Sequence, residues 1–172
     1  IALIVTALIF IPLWVKISEK IGKRIGYMIG LSIISFALIV NFFVGHIAGI
    51  YFVYGLMVFA GVGLSTGYIF PWAIVPDTIE YDAIKTGERK EGIFYGMWTF
   101  SSKVGQALAG GLTGGILSLT GYVPEVQQTD TAMLGIRLLF GLVPAVVYLG
   151  AAAILYFYPL SEERYNEALA EA

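Results

Sequence analysis

The chain has 172 residues, 58% of them hydrophobic and 13% charged, with a mean hydropathy of +0.83. A soluble domain carries about 45–50% apolar and about 25% charged residues, so this composition excludes an ordinary globular domain and indicates an integral membrane protein. The net charge of −2 decides little, and with no cysteine and a single histidine, His46, neither a thiol nucleophile nor a metal cluster is expected.

The chain opens on Ile1 inside an apolar run, with no initiator Met and no basic segment leading to a small-residue cleavage site. It is expected to be the C-terminal part of a longer polypeptide. Five apolar spans follow, 1–17, 25–44, 50–75, 92–119 and 132–158. Each can cross about 30 Å of hydrocarbon at 1.5 Å per residue. They predict an all-α, polytopic membrane bundle over 1–158 and a tail over 159–172. A β-barrel would alternate in polarity along each strand, which the unbroken apolar run from Ile1 to Ile11 does not.

Lysine and arginine set the orientation. The first connection holds Lys16, Lys20, Lys23 and Arg24, the third Lys85, Arg89 and Lys90, and the tail Arg164. The short turn 45–49 and the loop 120–131 have neither residue. The positive-inside rule therefore predicts that the first and third connections and the C-terminus face the cytoplasm. The segment after Pro159, with Ser161 as an N-cap and acids following, predicts a short helix in a soluble tail.

The fourth span is not apolar all round. Tyr95, Thr99, Lys103, Gln106, Gly110 and Thr113 fall on one helical face. Lys103 lies about 17 Å from the basic end of that helix, near mid-membrane, where a lysine costs about 3 kcal/mol. A polar stripe around an ammonium suits a helix lining a watery cavity, although a fixed ion pair or a snorkelling lysine would also place it there. Gly110-x-x-x-Gly114 and Gly111-x-x-x-Gly115 predict tight helix packing.

In the third span, Gly61, Ser65, Tyr68 and Trp72 share a face, and Pro71 is expected to break the helix before Trp72. Tyr68 and Trp72 are candidate ligands for a sugar, whose C–H face stacks on aromatic rings; Trp72 also fits an aromatic belt. Arg137 reads as an interfacial anchor able to snorkel, and Pro144 predicts a kink in the fifth span. No nucleophile–base pair or metal-ligand spacing occurs, so an enzyme is not expected.

Glu19-Lys20-Ile21-Gly22-Lys23-Arg24 resembles the Asp-Arg-x-Gly-Arg-Arg loop of the major facilitator superfamily, with Val15 where that motif has an upstream glycine. The third connection is more specific. Pro76-Asp77-x-x-Glu80-Tyr81-Asp82-x-x-Lys85-Thr86-Gly87-x-Arg89-x-Glu91-Gly92, then Lys103 and Gly121-Tyr122, resembles the glycoside–pentoside–hexuronide:cation symporters. The resemblance covers essentially the whole chain and implies the last five of twelve helices, in a plasma or inner membrane.

It further implies cation-coupled symport of a sugar or glycoside by alternating access, with Na⁺ or H⁺ as coupling ion and no other cofactor. Lys103 would couple solute and cation, with Gln106, Thr99, Tyr95, Tyr68 and Trp72 along the pathway. Asp77, Glu80, Asp82 and Arg89 would belong to a cytoplasmic gate, pairing with a facing half. The cation ligands would lie in an N-terminal half outside this sequence. Expected partners are thus the bilayer, a small solute and that missing half, with no nucleic acid. Pro71-Trp72 ahead of Pro76-Asp77 also resembles a lysolipid-carrying branch of the family, so an amphiphile remains the alternative cargo. A non-transporting scaffold on the same fold is the third reading.

Overall fold

The computed structural model describes residues 1–158 and 162–171. Among them the chain forms helices only: α1 (Ala2–Ile21), α2 (Lys23–Val44), α3 (Ile50–Thr86), α4 (Glu91–Leu119), α5 (Asp130–Phe140), α6 (Leu142–Tyr156) and α7 (Glu162–Glu171). Gly22, at φ 83°, separates α1 from α2, a conformation that costs a residue with a Cβ far more than it costs glycine. The first two helices therefore meet at a single residue, and α1 runs past its expected end at 17. The expected N-cap Ser161 and the neighbouring Pro159 lie outside the described residues.

α3 departs most from expectation. It does not break at Pro71, nor end at 75, but runs 37 residues to Thr86, about 55 Å of helix. Pro71 and Pro76 each remove one backbone hydrogen bond, and the helix carries on through both. Packing on both sides supplies the reason: Phe70 and Ile79 are buried against the bundle, so tertiary contact holds the helix across its weak points. Beyond the apolar part, α3 projects a charged extension, and Asp77, Glu80 and Asp82 stand on a helix rather than in a loop.

The fifth span is interrupted, but not at Pro144. α5 ends at Phe140, Gly141 takes φ −133° and ψ −88°, and α6 restarts at Leu142. Pro144 has no N–H to offer the Phe140 carbonyl, so the discontinuity falls one turn upstream and leaves Pro144 in the first turn of α6, where a missing donor costs little.

α2 is the hub. Its face of Gly26, Gly30 and Ile34 presses on α3, where a Cβ at Gly63 would fall 2.5 Å from the Gly30 carbonyl oxygen. Ile34, Ala37 and Ala60 form a buried apolar cluster, packed against by Leu3, Leu38, Leu64 and Tyr148. On its other side α2 meets α6, where the buried Ser35 hydroxyl donates to the Ala145 carbonyl at 3.1 Å. α1 joins through Trp14, whose Nε1 donates to the Val62 carbonyl of α3 at 2.8 Å.

α1, α2, α3 and the α5–α6 pair are each long and apolar enough to cross a membrane. α4 has the length, 29 residues, but its glycines, hydroxyl residues and Lys103 keep it less apolar than those four. It also differs in packing: none of its residues is buried. It touches the bundle through the Trp98–Trp72 ring pair and where Thr120, just beyond its end, packs on Gly135. The tight packing expected of Gly110, Gly111, Gly114 and Gly115 is not made among the described residues, since a Cβ at any of them meets no atom of those within 4 Å.

Candidate functional site

The polar stripe of α4 is presented outward. Tyr95, Thr99, Lys103 and Gln106 are all exposed, and Lys103 has no hydrogen bond or ion pair among the described residues. An internal ion pair therefore does not account for it. On α3, Tyr68 is 51% and Trp72 64% exposed. Trp72 leans on Trp98 with ring centroids 5.5 Å apart, so part of its surface is spent joining α3 to α4. Next to that junction a cleft of about 400 Å³ runs between Thr78 on α3 and Phe94 and Ser101 on α4.

The residues expected at a gate all find partners within the chain. Lys23 Nζ lies 2.6 Å from Asp77 Oδ2, Lys90 Nζ 3.7 Å from Asp82 Oδ2, and Arg89 Nη1 3.5 Å from Glu91 Oε1. The Tyr165 hydroxyl of α7 donates to Glu80. Glu80, Arg89 and Tyr95 also line one cleft of about 340 Å³, which brings the foot of the stripe beside the charged extension. The tail is therefore more than a solvated appendage: α7 rests on α3, with Ala168 buried.

Four contacts had little or no signature in sequence. The Thr78 and Tyr158 hydroxyls share a hydrogen bond of 2.6 Å. Arg24 Nη2 donates to the Tyr156 carbonyl at 2.5 Å. Arg137, read as an interfacial anchor, donates from Nη2 to the Phe42 carbonyl at 2.8 Å and lies 2.9 Å from His46 Nδ1. Because arginine only donates, His46 Nδ1 is the acceptor there. Arg137 thus closes the C-terminal turn of α2 from α5. Its only sequence signal was a cation in an otherwise apolar span.

A family model described as MFS/sugar transport protein matches residues 1–162. The chain belongs to that family. It is 36% identical over 163 residues to a putative sulfoquinovose importer of Salmonella typhimurium, covering 94% of this chain and 33% of the relative. It is 32% identical over 160 residues to a glucuronide carrier protein homolog of Escherichia coli, with 93% and 35% covered. An uncharacterized symporter of Synechocystis is 32% identical over 170 residues, with 91% and 30% covered. The chain spans about a third of the length of these MFS relatives. The relatives are transporters rather than enzymes.

Proposed function

We propose that this chain forms one wall of a secondary active transporter that carries a sugar-type solute together with Na⁺ or H⁺ by alternating access. The observation that carries the reading is Lys103: among the described residues it is an ammonium with no partner, midway along a polar face, on a helix with no buried residue. Carriers of this kind place their sites near the midplane, between two helical halves, and an ionisable residue at that depth faces a cavity or a counter-charge. The solutes in the relatives' names, sulfoquinovose and glucuronide, each bear an acid group, which an ammonium in a low-dielectric wall would hold by a charge-assisted hydrogen bond.

In this reading Lys103 couples solute to cation. Gln106, Thr99 and Tyr68 offer hydrogen bonds to hydroxyls, and Tyr95 and Trp72 border the pathway. The facing wall and the cation ligands come from the remainder of the polypeptide. The end bearing Lys20, Lys23, Arg24 and Arg89 faces the cytoplasm, as the positive-inside rule requires, and α7 lies on that side. Asp77, Glu80, Asp82 and Arg89 form part of the inner gate, opening and closing by exchange of the ion pairs seen here.

The test is Lys103→Ala in the full-length transporter. Gradient-driven uptake is expected to be abolished while the protein still reaches the membrane. Normal accumulation by that variant would sink the assignment.

A further inference from the structure

A groove of about 940 Å³ opens at the basic end of the bundle, away from the polar stripe. Its mouth carries Lys20 from the last turn of α1 and Arg24 from the first turn of α2, with Glu19 at the rim. Its length follows one face of α2, through Ile25, Ile29 and Ile33 to Phe36, with Phe59 of α3 closing the far end. Phe36 and Phe59 meet edge to face, ring centroids 6.3 Å apart. From Arg24 to Phe36 the helix rises about 18 Å, close to the depth of one leaflet of a hydrocarbon core of about 30 Å.

The mouth is built for an anion. Lys20 and Arg24 against Glu19 leave a net charge of +1 there. The Arg24 guanidinium is fixed at this mouth by Nη2, which donates to the Tyr156 carbonyl at 2.5 Å. A basic mouth on an apolar channel of one-leaflet depth matches a phospholipid: a phosphate at the surface and an acyl chain below it.

We infer that this groove seats one anionic phospholipid, its phosphate held by Lys20 and Arg24 and an acyl chain laid along Ile25, Ile29 and Phe36. The site rests on the reading that the basic end lies at a membrane surface, and not on what the transporter carries. A bound chain covers Ile25, Ile29 and Phe36, which the bundle leaves exposed, and fixes the α1–α2 corner against α6 through Arg24.

Native mass spectrometry of the detergent-solubilised, full-length transporter tests the site with two probes of equal chain length, phosphatidylglycerol and phosphatidylcholine. Phosphatidylglycerol is expected to be retained in preference, and Lys20→Gln, at an exposed side chain, to weaken it about fivefold. Ile29→Trp, which fills the groove without changing its charge, is expected to displace the lipid. Equal retention of the two lipids, or binding unaffected by Lys20→Gln, would overturn the inference. So would displacement of the lipid by glycerol phosphate at matched concentration, which would mark a free-phosphate site. Solute uptake measured on the same preparation judges the transport reading separately.

Discussion

Lys23 and Asp77 meet at 2.6 Å although they stand 54 positions apart in the chain, binding the start of α2 to the charged extension of α3. Both side chains are mostly enclosed, 31% and 22% exposed. Pairs at this depth are screened less than surface pairs, which contribute about 0.2–1 kcal/mol. The contact also explains why α3 stays helical beyond the apolar core. Its extension is held at Asp77 by α2, at Glu80 by Tyr165, and at Asp82 by Lys90.

Asp77→Asn keeps the side-chain shape and removes the charge. It is expected to lower thermal stability of the full-length protein modestly and to change the transport rate more than the binding of solute. The exchange Lys23→Asp with Asp77→Lys is expected to recover part of both losses. A double-mutant cycle on thermal unfolding reads the pair directly. A coupling indistinguishable from zero would show that the contact does not hold α3.

Glycine in this chain divides into two kinds, and substitution separates them. Alanine at Gly63 would set a Cβ 2.5 Å from the Gly30 carbonyl oxygen and 2.7 Å from the Ile34 nitrogen. Both are backbone atoms that cannot swing aside. Gly63→Ala is expected to cost roughly 1–3 kcal/mol or more, as overpacking does. Gly55→Ala, with no atom within 4 Å, is expected to be neutral or stabilising, because alanine favours helix over glycine by about 1 kcal/mol. Comparing melting temperatures of the two variants is sufficient.

The helical membrane spans were legible in sequence because hydropathy acts over whole spans. Helix ends were less so. Pro71 and Pro76 carry a local breaking tendency, and the packing that overrides it, at Phe70 and Ile79, depends on residues far away in the chain. The break at Gly141 was hidden for the opposite reason: a proline acts on the carbonyl four residues before it. Within the site, the stripe of α4 followed from helical spacing alone. The partners of Asp77 and Glu80 did not, because Lys23 and Tyr165 come from distant elements and only the common end of the bundle linked them. The glycine pairs of α4 gave a clear packing signal with no neighbour in the chain to receive it.

Arg137 offers a test of helix closure. Its guanidinium caps the Phe42 carbonyl and lies over the Phe42 ring at 5.4 Å. Arg137→Ala is expected to destabilise the protein by about 1.5–3 kcal/mol, the range for hydrogen bonds to charged groups. Arg137→Lys is expected to rescue little, since a single ammonium cannot match a planar fork that serves Phe42 and His46 together. Equal melting temperatures for the lysine variant and the wild type would show that charge alone suffices.

The face of α4 that carries Lys103 is the last test, and cysteine labelling reads it. The chain has no cysteine, so within it a single introduced thiol reports one position. Thr99 and Gln106 share the face of Lys103, whereas Leu108 lies about half a turn away from Thr99 around the helix. All three are exposed in the chain, so the chain's own packing does not distinguish them. Only a watery cavity on one side of α4 does. In the full-length transporter, Thr99→Cys and Gln106→Cys are expected to react with a membrane-impermeant thiol reagent, more slowly when solute is present. Leu108→Cys is expected to be protected by lipid or protein. Uniform labelling of the three would mean that α4 lines no pathway, and Lys103 would then need another explanation. Labelling confined to the Lys103 face would make the partnerless ammonium part of the route that solute takes.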